Sequence, residues 1–480
     1  MDLIGILFGL TLLIWLAFRG WSVLILAPIA ALLAAGISGA PLLANWTQTF
    51  MSGASGFVAQ FLPLFLLGAI FGKLMDDSGS IRAIADSIRT NFGPAHATLA
   101  VVIVGALVTY GGVNLFVALF VIVPMAQGLY EAANIPRRLM PAAVGLGTFT
   151  FTMSALPGSP ALQNAIPMPH FGTTLFAAPG LGLIAAAVML GFGLWWLGRA
   201  EAAAKRKGET FTSAAQPLCA VSVLREQTMT SFEFDVAEID HGHRSMDAPS
   251  VGVAALPLAV VLCVNIVVSI LVLPRLDASF LAEERWGATS LAAVGGVWSV
   301  LIALAAGIVI LIALNWQRLT ALRETIDAGA NASVVPLISV ASLVGFGSVV
   351  AGLPAFETVR DWVMSIEGGP LISLAVSVNL LAALTGSASG GMAIALDALG
   401  ETYLQLAARH GIDPALMHRV AVMASGTLDA LPHNGAIVTL LSVCGTTHRD
   451  SYGPIVMTVI VGPVLALIAV IALGAMFGSF

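Results

Sequence analysis

Apolar residues run along this chain in blocks long enough to cross a bilayer, yet several blocks hold proline, glycine and polar residues where a spanning helix should have none. A spanning helix needs about 20 apolar residues. The first half supplies runs near 3–18, 21–38 and 57–75. Residues 79–91 then change period: Ile81, Ile84, Ala85 and Ile88 share one helical face and Arg82, Asp86 and Arg89 the other, which predicts a short amphipathic helix on the membrane surface. An apolar stretch of about 95–130 follows, interrupted by Thr109-Tyr-Gly-Gly-Val-Asn114. Two ordinary helices joined by a tight loop give this pattern, and so does a re-entrant hairpin whose glycine tip stops at mid-membrane; recurrence of the pattern in the second half favours the hairpin. A broken helix (about 138–168) and a fifth span (about 174–198) complete the half.

The second half repeats this order. Spans are expected near 251–273, 289–314 and 334–352, a surface helix at 354–366, a hairpin at 370–400, a broken span at 413–445 and a last span at 454–478. The second surface helix again sorts its faces, with Phe356, Val359, Val363 and Ile366 on one side and Glu357, Arg360 and Asp361 towards the other. The two breaks are related: Ala155-Leu-Pro-Gly-Ser-Pro-Ala161 and the ALPHNGA that starts at Ala430 lie 275 positions apart. Trp21-Ser-Val-Leu-Ile25 recurs as Trp298-Ser-Val-Leu-Ile302, Asn45-Trp46 as Asn315-Trp316 and Leu139-Met140 as Leu416-Met417, and the glycine-rich Tyr110-Gly-Gly-Val-Asn114 meets Ser387-Ala-Ser-Gly-Gly391, all at offsets of 270 to 277. The expected fold is an all-α polytopic membrane protein of two inverted-topology repeats, each with five spans, one re-entrant hairpin and one broken helix. Its boundaries are 1–198, a linker at 199–250, and 251–480.

Composition agrees with a membrane protein: 58% of residues are hydrophobic and 10% charged. Of 46 charged residues, 14 sit in 199–250, which marks that segment as extramembrane. The first apolar segment follows Met-Asp with no basic region and no small-residue cleavage site, so it is read as a retained helix. Three scattered cysteines give neither a disulfide framework nor a metal spacing, no cofactor is expected, and no basic stripe points to nucleic acid. With five spans and one hairpin per half, the linker side collects 15 of the 20 Lys and Arg, and the other side takes Arg275, Arg285, Arg360, Arg409 and Arg419. The positive-inside rule then makes the linker cytoplasmic and puts both termini outside.

The breaks carry the chemistry. A proline lacks an N–H and displaces the carbonyl four residues back, so Pro157, Pro160 and Pro432 open their helices. Such a break is tolerated in lipid only where protein buries it or it lines a cavity, and half-helix N-termini there present N–H groups and positive dipole ends that suit a carboxylate. Neutral donors supply the rest: Thr109 and Asn114 on the first tip, Ser154, Ser159 and Asn164 at the first break, Thr385, Ser387 and Ser389 on the second tip, Thr427 and Asn434 at the second break. Each single Ser or Thr has back-bonding to its own helix as its ordinary role. No Arg or Lys is expected near either break core. Asp429 and His433, four apart, are read as a pair that carries a coupling proton. Asp397 in the second hairpin arm is either a second proton or substrate group or a helix-to-helix hydrogen-bond partner. Lys73 is read as a snorkelling end anchor, and His170 and His448 as loop residues without a role. An intramembrane hydrolase and a passive channel are the rival classes, although a hydrolase has no use for two matching breaks.

Phe71-Gly-Lys-Leu-Met-Asp-Asp-Ser-Gly79, Asp429-Ala-Leu-Pro-His-Asn-Gly435 and Thr447-His-Arg-Asp-Ser-Tyr452 together resemble the gluconate permease family of proton-linked carboxylate transporters, within the ion transporter superfamily. The resemblance runs over most of the chain except the linker. It implies a substrate site between two hairpin tips and two broken helices, a small organic anion such as gluconate or 3-hydroxybutyrate, and residence in a bacterial-type inner membrane. It also implies a homodimer that works as an elevator; the surface helices at 79–91 and 354–366, each just before its hairpin, are read as separating a scaffold of about 1–75 and 251–352 from a mobile unit of hairpins and broken helices. Sodium-coupled relatives carry Ser-Asn-Thr at tips and breaks; that tripeptide is absent here, which sets proton coupling ahead of sodium.

Overall fold

A chain in lipid must satisfy its backbone polar groups internally, and this one does so with helices alone: no strand occurs among the described residues. The computed structural model describes residues 2–17, 23–111, 113, 115–211, 238, 241–354, 356–358, 361, 365–366, 368–385, 387–432 and 434–480. Six helices among them are long and apolar enough to cross a membrane. Helices α1 (Asp2–Ala17) and α2 (Val23–Ile37) fall on the first two apolar runs.

The third run is longer than expected: α3 spans Leu42–Asp77, 36 residues, and begins 15 residues before position 57. Its early turns hold Asn45, Thr47 and Gln48, polar enough to hide a helix from an apolar count. Asn45 Nδ2 and Thr47 Oγ1 bond the carbonyls four residues back, at 2.9 and 2.7 Å, so the polar groups are satisfied within the helix. Gly79, at φ +75°, turns the chain into α4 (Ser80–Phe92). The apolar face of α4 is covered by protein rather than lipid: Ile81, Ala83, Ile84 and Ala85 are buried, and α4 packs on the helix that begins at Val251. The pair α5 (Ala97–Tyr110) and α6 (Leu115–Ala132) follows, then α7 (Met140–Thr148), an irregular segment, and α8 (Pro179–Arg206).

After the linker come α9 (Val251–Arg275), α10 (Leu291–Asn315) and α11 (Leu322–Ala351). Here too the third helix starts earlier than the apolar run at 334, because Arg323, Glu324 and Asp327 sit in its first turns. The expected surface helix at 354–366 lies largely outside the described residues. The pair α12 (Pro370–Thr385) and α13 (Ala388–His410) leads to α14 (Pro414–Thr427), a second irregular segment, α15 (Gly435–Cys444) and α16 (His448–Phe477).

Helices α3 and α11 form the centre. Glycines let their backbones touch: a Cβ at Gly329 would lie 2.8 Å from Ile70 Cα, and one at Gly345 2.8 Å from the Phe50 carbonyl oxygen. Small residues at the crossing are the usual means of helix association in lipid, where the hydrophobic effect gives no net drive. Helix α2 packs on α11 and α10 packs on α3.

At its end α3 carries a buried ionic cluster. Lys73 Nζ lies 2.9 Å from Asp77 Oδ1, and both side chains are closed to solvent. Thr325 Oγ1 of α11 donates to Asp77 Oδ2 at 2.7 Å, Arg244 Nε bonds Asp76 Oδ2 at 2.9 Å, and the Ser245 amide donates to the Asp77 carbonyl at 2.8 Å. Lys73 is therefore not a snorkelling anchor. The returning end of the linker lies over the end of α3 and closes the lysine into an ion pair, a long-range contact that local sequence does not reveal. Replacing Asp77 by Asn strands a buried ammonium, and the expected cost is about 3–5 kcal/mol in unfolding stability; Lys73→Met with Asp77→Leu together should restore most of it. Thermal unfolding in detergent of the single and double variants measures both.

Candidate functional site

Both breaks are present, and each is held open by side chains from elsewhere. The first contains two interruptions instead of one: α7 stops at Thr148, a single turn covers Phe151–Ser154, and short turns resume at Leu162–Ala165 and Pro167–Phe171. Gly158, at φ +81°, occupies a backbone region that favours glycine, and its amide donates to the Leu175 carbonyl at 2.9 Å. The Tyr110 hydroxyl, at the end of α5, donates to the Pro157 carbonyl at 2.8 Å. The first helix pair thus reaches the first break.

Asn164 organises what lies beneath. Its Nδ2 donates to the Ser159 and Leu175 carbonyls, each at 3.1 Å, which turns Oδ1 towards α14. There Oδ1 meets His418 Nε2 at 3.2 Å and Arg419 Nη1 at 3.5 Å. The imidazole accordingly carries its hydrogen on Nε2, and its Nδ1 accepts from the Thr173 hydroxyl at 2.6 Å. Arg419 is fully buried and donates to the Ala177 carbonyl through Nε and Nη2, at 3.1 and 2.6 Å, and to the Ser154 carbonyl at 3.4 Å. This corrects two expectations: a cation does lie against the first break, and Arg419 is not on an outer surface. Among the described residues no acidic side chain pairs with it. The other half-helix end lies nearby, since a Cβ built on Gly426 would be 3.4 Å from Ser154 Cβ.

The second break lies between α14 and α15, at 428–434. Asn434 caps α15: its Oδ1 accepts from the Ala436 amide at 2.6 Å, and its Nδ2 donates to Asp429 Oδ1 at 2.6 Å. His448, the first residue of α16 and not a loop residue, donates from Nε2 to the Pro432 carbonyl at 2.8 Å. The Tyr452 hydroxyl reaches the Ala430 carbonyl at 3.2 Å. His433 and Asn114 lie outside the described residues, as does the side chain of Thr385. His170 is helical too, within Pro167–Phe171.

Of the remaining candidates, several bond their own helices. Thr109 Oγ1 donates to the Gly105 carbonyl at 2.7 Å and Ser154 Oγ to the Thr150 carbonyl at 3.1 Å. Thr427 bonds the Ala424 carbonyl at 2.9 Å and also Asn379 of α12. Ser387 caps α13 by accepting from the Gly390 amide at 3.1 Å, with Ser389 Oγ 3.4 Å away. Ser159 differs: its hydroxyl is buried and has no hydrogen-bond partner among the described residues. Asp397 Oδ2 accepts from Ser348 of α11 at 2.8 Å.

Three cavities adjoin these groups. One of about 70 Å³ lies where Thr109 and Val113 of the first pair meet Pro160 and Ala161 of the first break and Phe65 of α3. A second, of about 520 Å³, is lined by Gln60 of α3, His170, Ser348 and Asp397. A third, of about 1300 Å³, is an apolar groove between α12 and α16.

Sequence reasoning missed the tyrosines. The chain has four, and every hydroxyl serves a helix pair or a break. Tyr110 and Tyr452 hold the breaks. Tyr130 of α6 bonds Thr98 of α5 at 2.9 Å, and Tyr403 of α13 bonds Ser373 and Ser377 of α12 at 3.0 and 2.9 Å, so each pair is tied across its arms. Their scarcity in so apolar a chain was the available signal. Arg419→Gln should lower stability by about 1–3 kcal/mol for each carbonyl left without a donor, and Arg419→Lys should recover only part, because an ammonium cannot span the Ala177 and Ser154 carbonyls as the guanidinium does. Unfolding midpoints of the two variants in one detergent make the comparison.

No family model matches the chain. It is 39% identical to the uncharacterized transporter YxjC of Bacillus subtilis (strain 168), over 100% of both chains. Over 169 residues, 34% of this chain and 37% of the other, it is 26% identical to the high-affinity gluconate transporter of Escherichia coli (strain K12). Among solved structures its fold is like that of Neisseria gonorrhoeae MtrF, from a class of antimetabolite efflux pumps, with a TM-score of 0.55 at 13% identity over 95% of this chain and 94% of that one. Full-length kinship to a transporter, six candidate spans and paired helix breaks make this a multi-pass membrane transporter and not an enzyme, and the chain belongs to the gluconate permease family.

Proposed function

We propose that the protein is a proton-coupled symporter of a small organic carboxylate, of the gluconate or 3-hydroxybutyrate type, that works by an elevator movement. The observation that carries this reading is an exchange relation in the packing. Helix α2 lies on α11 and α10 on α3; α1 pairs with α2 and α9 with α10; the arms of each helix pair pack on the half-helix that follows them, α7 or α14; and α6 touches α15 while α13 touches the turns at Leu162–Ala165 and Pro167–Phe171. Swapping the halves maps these contacts onto one another, which supports two repeats. An odd number of crossings in each supports their inversion, with the linker cytoplasmic and both termini outside. Helix α5 has 14 residues, about 21 Å at the α-helical rise, against a hydrocarbon core of about 30 Å; such an arm supports a re-entrant hairpin.

In this reading α1–α3 and α9–α11 form the scaffold and the dimer contact, and the hairpins and breaks move. The carboxylate binds between the tips and breaks, met by free half-helix N–H groups and the Ser159 hydroxyl, with the charge of Arg419 beneath. Thr109, Ser154, Thr385, Ser387, Ser389, Thr427 and Asn434 shape the site with Asn114. Asn164, whose amide is fully engaged, positions the first break. Asp429, bonded to Asn434 at the second break, carries the coupling proton together with His433. The match to a gluconate transporter supports the substrate class.

Uptake of labelled gluconate and 3-hydroxybutyrate into proteoliposomes tests the reading, with a proton gradient, a sodium gradient or neither. Uphill accumulation driven by the proton gradient is expected; equilibration alone under all three conditions would mean a channel. Asp429→Asn should abolish pH-driven accumulation while leaving exchange of internal for external substrate, and full accumulation in that variant removes Asp429 from the coupling. Ser159→Ala should raise the half-saturation concentration roughly tenfold, the worth of one hydrogen bond to a charged group, without lowering the unfolding midpoint, since that hydroxyl bonds nothing among the described residues.

A further inference from the structure

The cavity of about 520 Å³ lies on a boundary. Gln60, Phe57 and Phe61 of α3 and Val344 and Ser348 of α11 form one wall; Ala393 and Asp397 of α13 and His170 form the other. Resting on the elevator reading, these are the scaffold and the mobile unit. The hydrogen bond from Ser348 Oγ to Asp397 Oδ2, 2.8 Å long, is thus a polar contact across the surface along which the two must slide.

Among the described residues Asp397 is the only carboxylate on this cavity. Helix α3 offers no charged side chain between Leu42 and Gly72, α12 offers none at all, and the charges of α11 lie in its first turns, more than 20 residues before Ser348. On α14, His418 and Arg419 are turned to the first break. On α13 itself Glu401 is one turn away and exposed, bonded to Gln405. The titratable neighbour is His170, on the same wall as Asp397, whose ring packs beside Gly400: a Cβ there would lie 3.3 Å from His170 Nδ1.

We infer that Asp397 is a proton-operated latch between scaffold and mobile unit. As a carboxylate it is held by Ser348 through a charge-assisted bond and solvated in the polar cavity. Sliding α13 along Phe57, Phe61 and Val344 would carry that charge onto an apolar wall, where an ionised group is costly. As a neutral acid the same side chain slides far more cheaply. Proton binding here licenses the movement itself, a role separate from proton exchange at the second break.

The test reads position, not transport. In full-length protein in lipid nanodiscs, with native cysteines replaced by serine, spin labels at Leu43 of α3 and Gln405 of α13 report the distance between the two units at pH 5.5 and pH 8. The expected result is one distance at pH 8 and a second population at pH 5.5, larger by at least roughly threefold, with no substrate present. Asp397→Asn should show the second population at both pH values. Ser348→Ala should enlarge it at pH 8 and keep the pH dependence, and His170→Gln should behave as the parent. Identical distances at both pH values in the parent overturn the latch, as does an undiminished pH response in Asp397→Asn or its loss in His170→Gln. A pH-dependent distance in a protein that moves no carboxylate would sink the transport proposal and leave the latch standing.

Discussion

Every carbonyl freed by a helix break inside a membrane needs a donor that lipid cannot give, and this requirement shapes the middle of the protein. The chain opens its helices at 155–161 and 428–434 and answers the exposed backbone with distant side chains: Tyr110, Asn164 and Arg419 at the first break, His448 and Tyr452 at the second. Each donor lies on a different element from the carbonyl it serves, apart from Asn164. The breaks are consequently stable only in the assembled fold.

That requirement also makes the two breaks unequal. The first rests on a buried guanidinium, the second has Asp429 within its own irregular segment. A guanidinium thus stands at one break and a carboxyl group at the other. In the proposed reading, a substrate anion between them would meet attraction from one side and repulsion from the other. Such an arrangement suits a ligand that must be both held and released, and it would be lost if the two breaks carried the same side chains.

Much of the architecture was legible because it is written locally. Apolar run length placed most helices, proline spacing placed both breaks, and glycine with short arms placed the helix pairs. What escaped was either masked by composition or built from distant contacts. The first turns of α3 and α11 are polar because their side chains bond their own helix or carry charge, so an apolar count begins too late. Lys73 looked like an end anchor because Arg244 and Thr325, which close its cluster, are about 170 and 250 residues away. Arg419 was counted among the charges on one side of the membrane and His418 was not singled out; only the fold puts them under a break some 250 positions earlier. His448 and Tyr452 were noticed as part of a motif, but without a structure their target, the Pro432 and Ala430 carbonyls, could not be named.

The cluster at the end of α3 bears on how the protein is made. Lys73 and Asp77 stand one helical turn apart, so the pair cancels its charge as soon as that helix forms and lets α3 enter the membrane as a nearly neutral rod. The second oxygen of Asp77 then waits for Thr325, synthesised 248 residues later, and Asp76 waits for Arg244. Arrival of the linker's end and then of α11 supplies those partners, so a chain that stops before Thr325 keeps one oxygen of Asp77 without its donor.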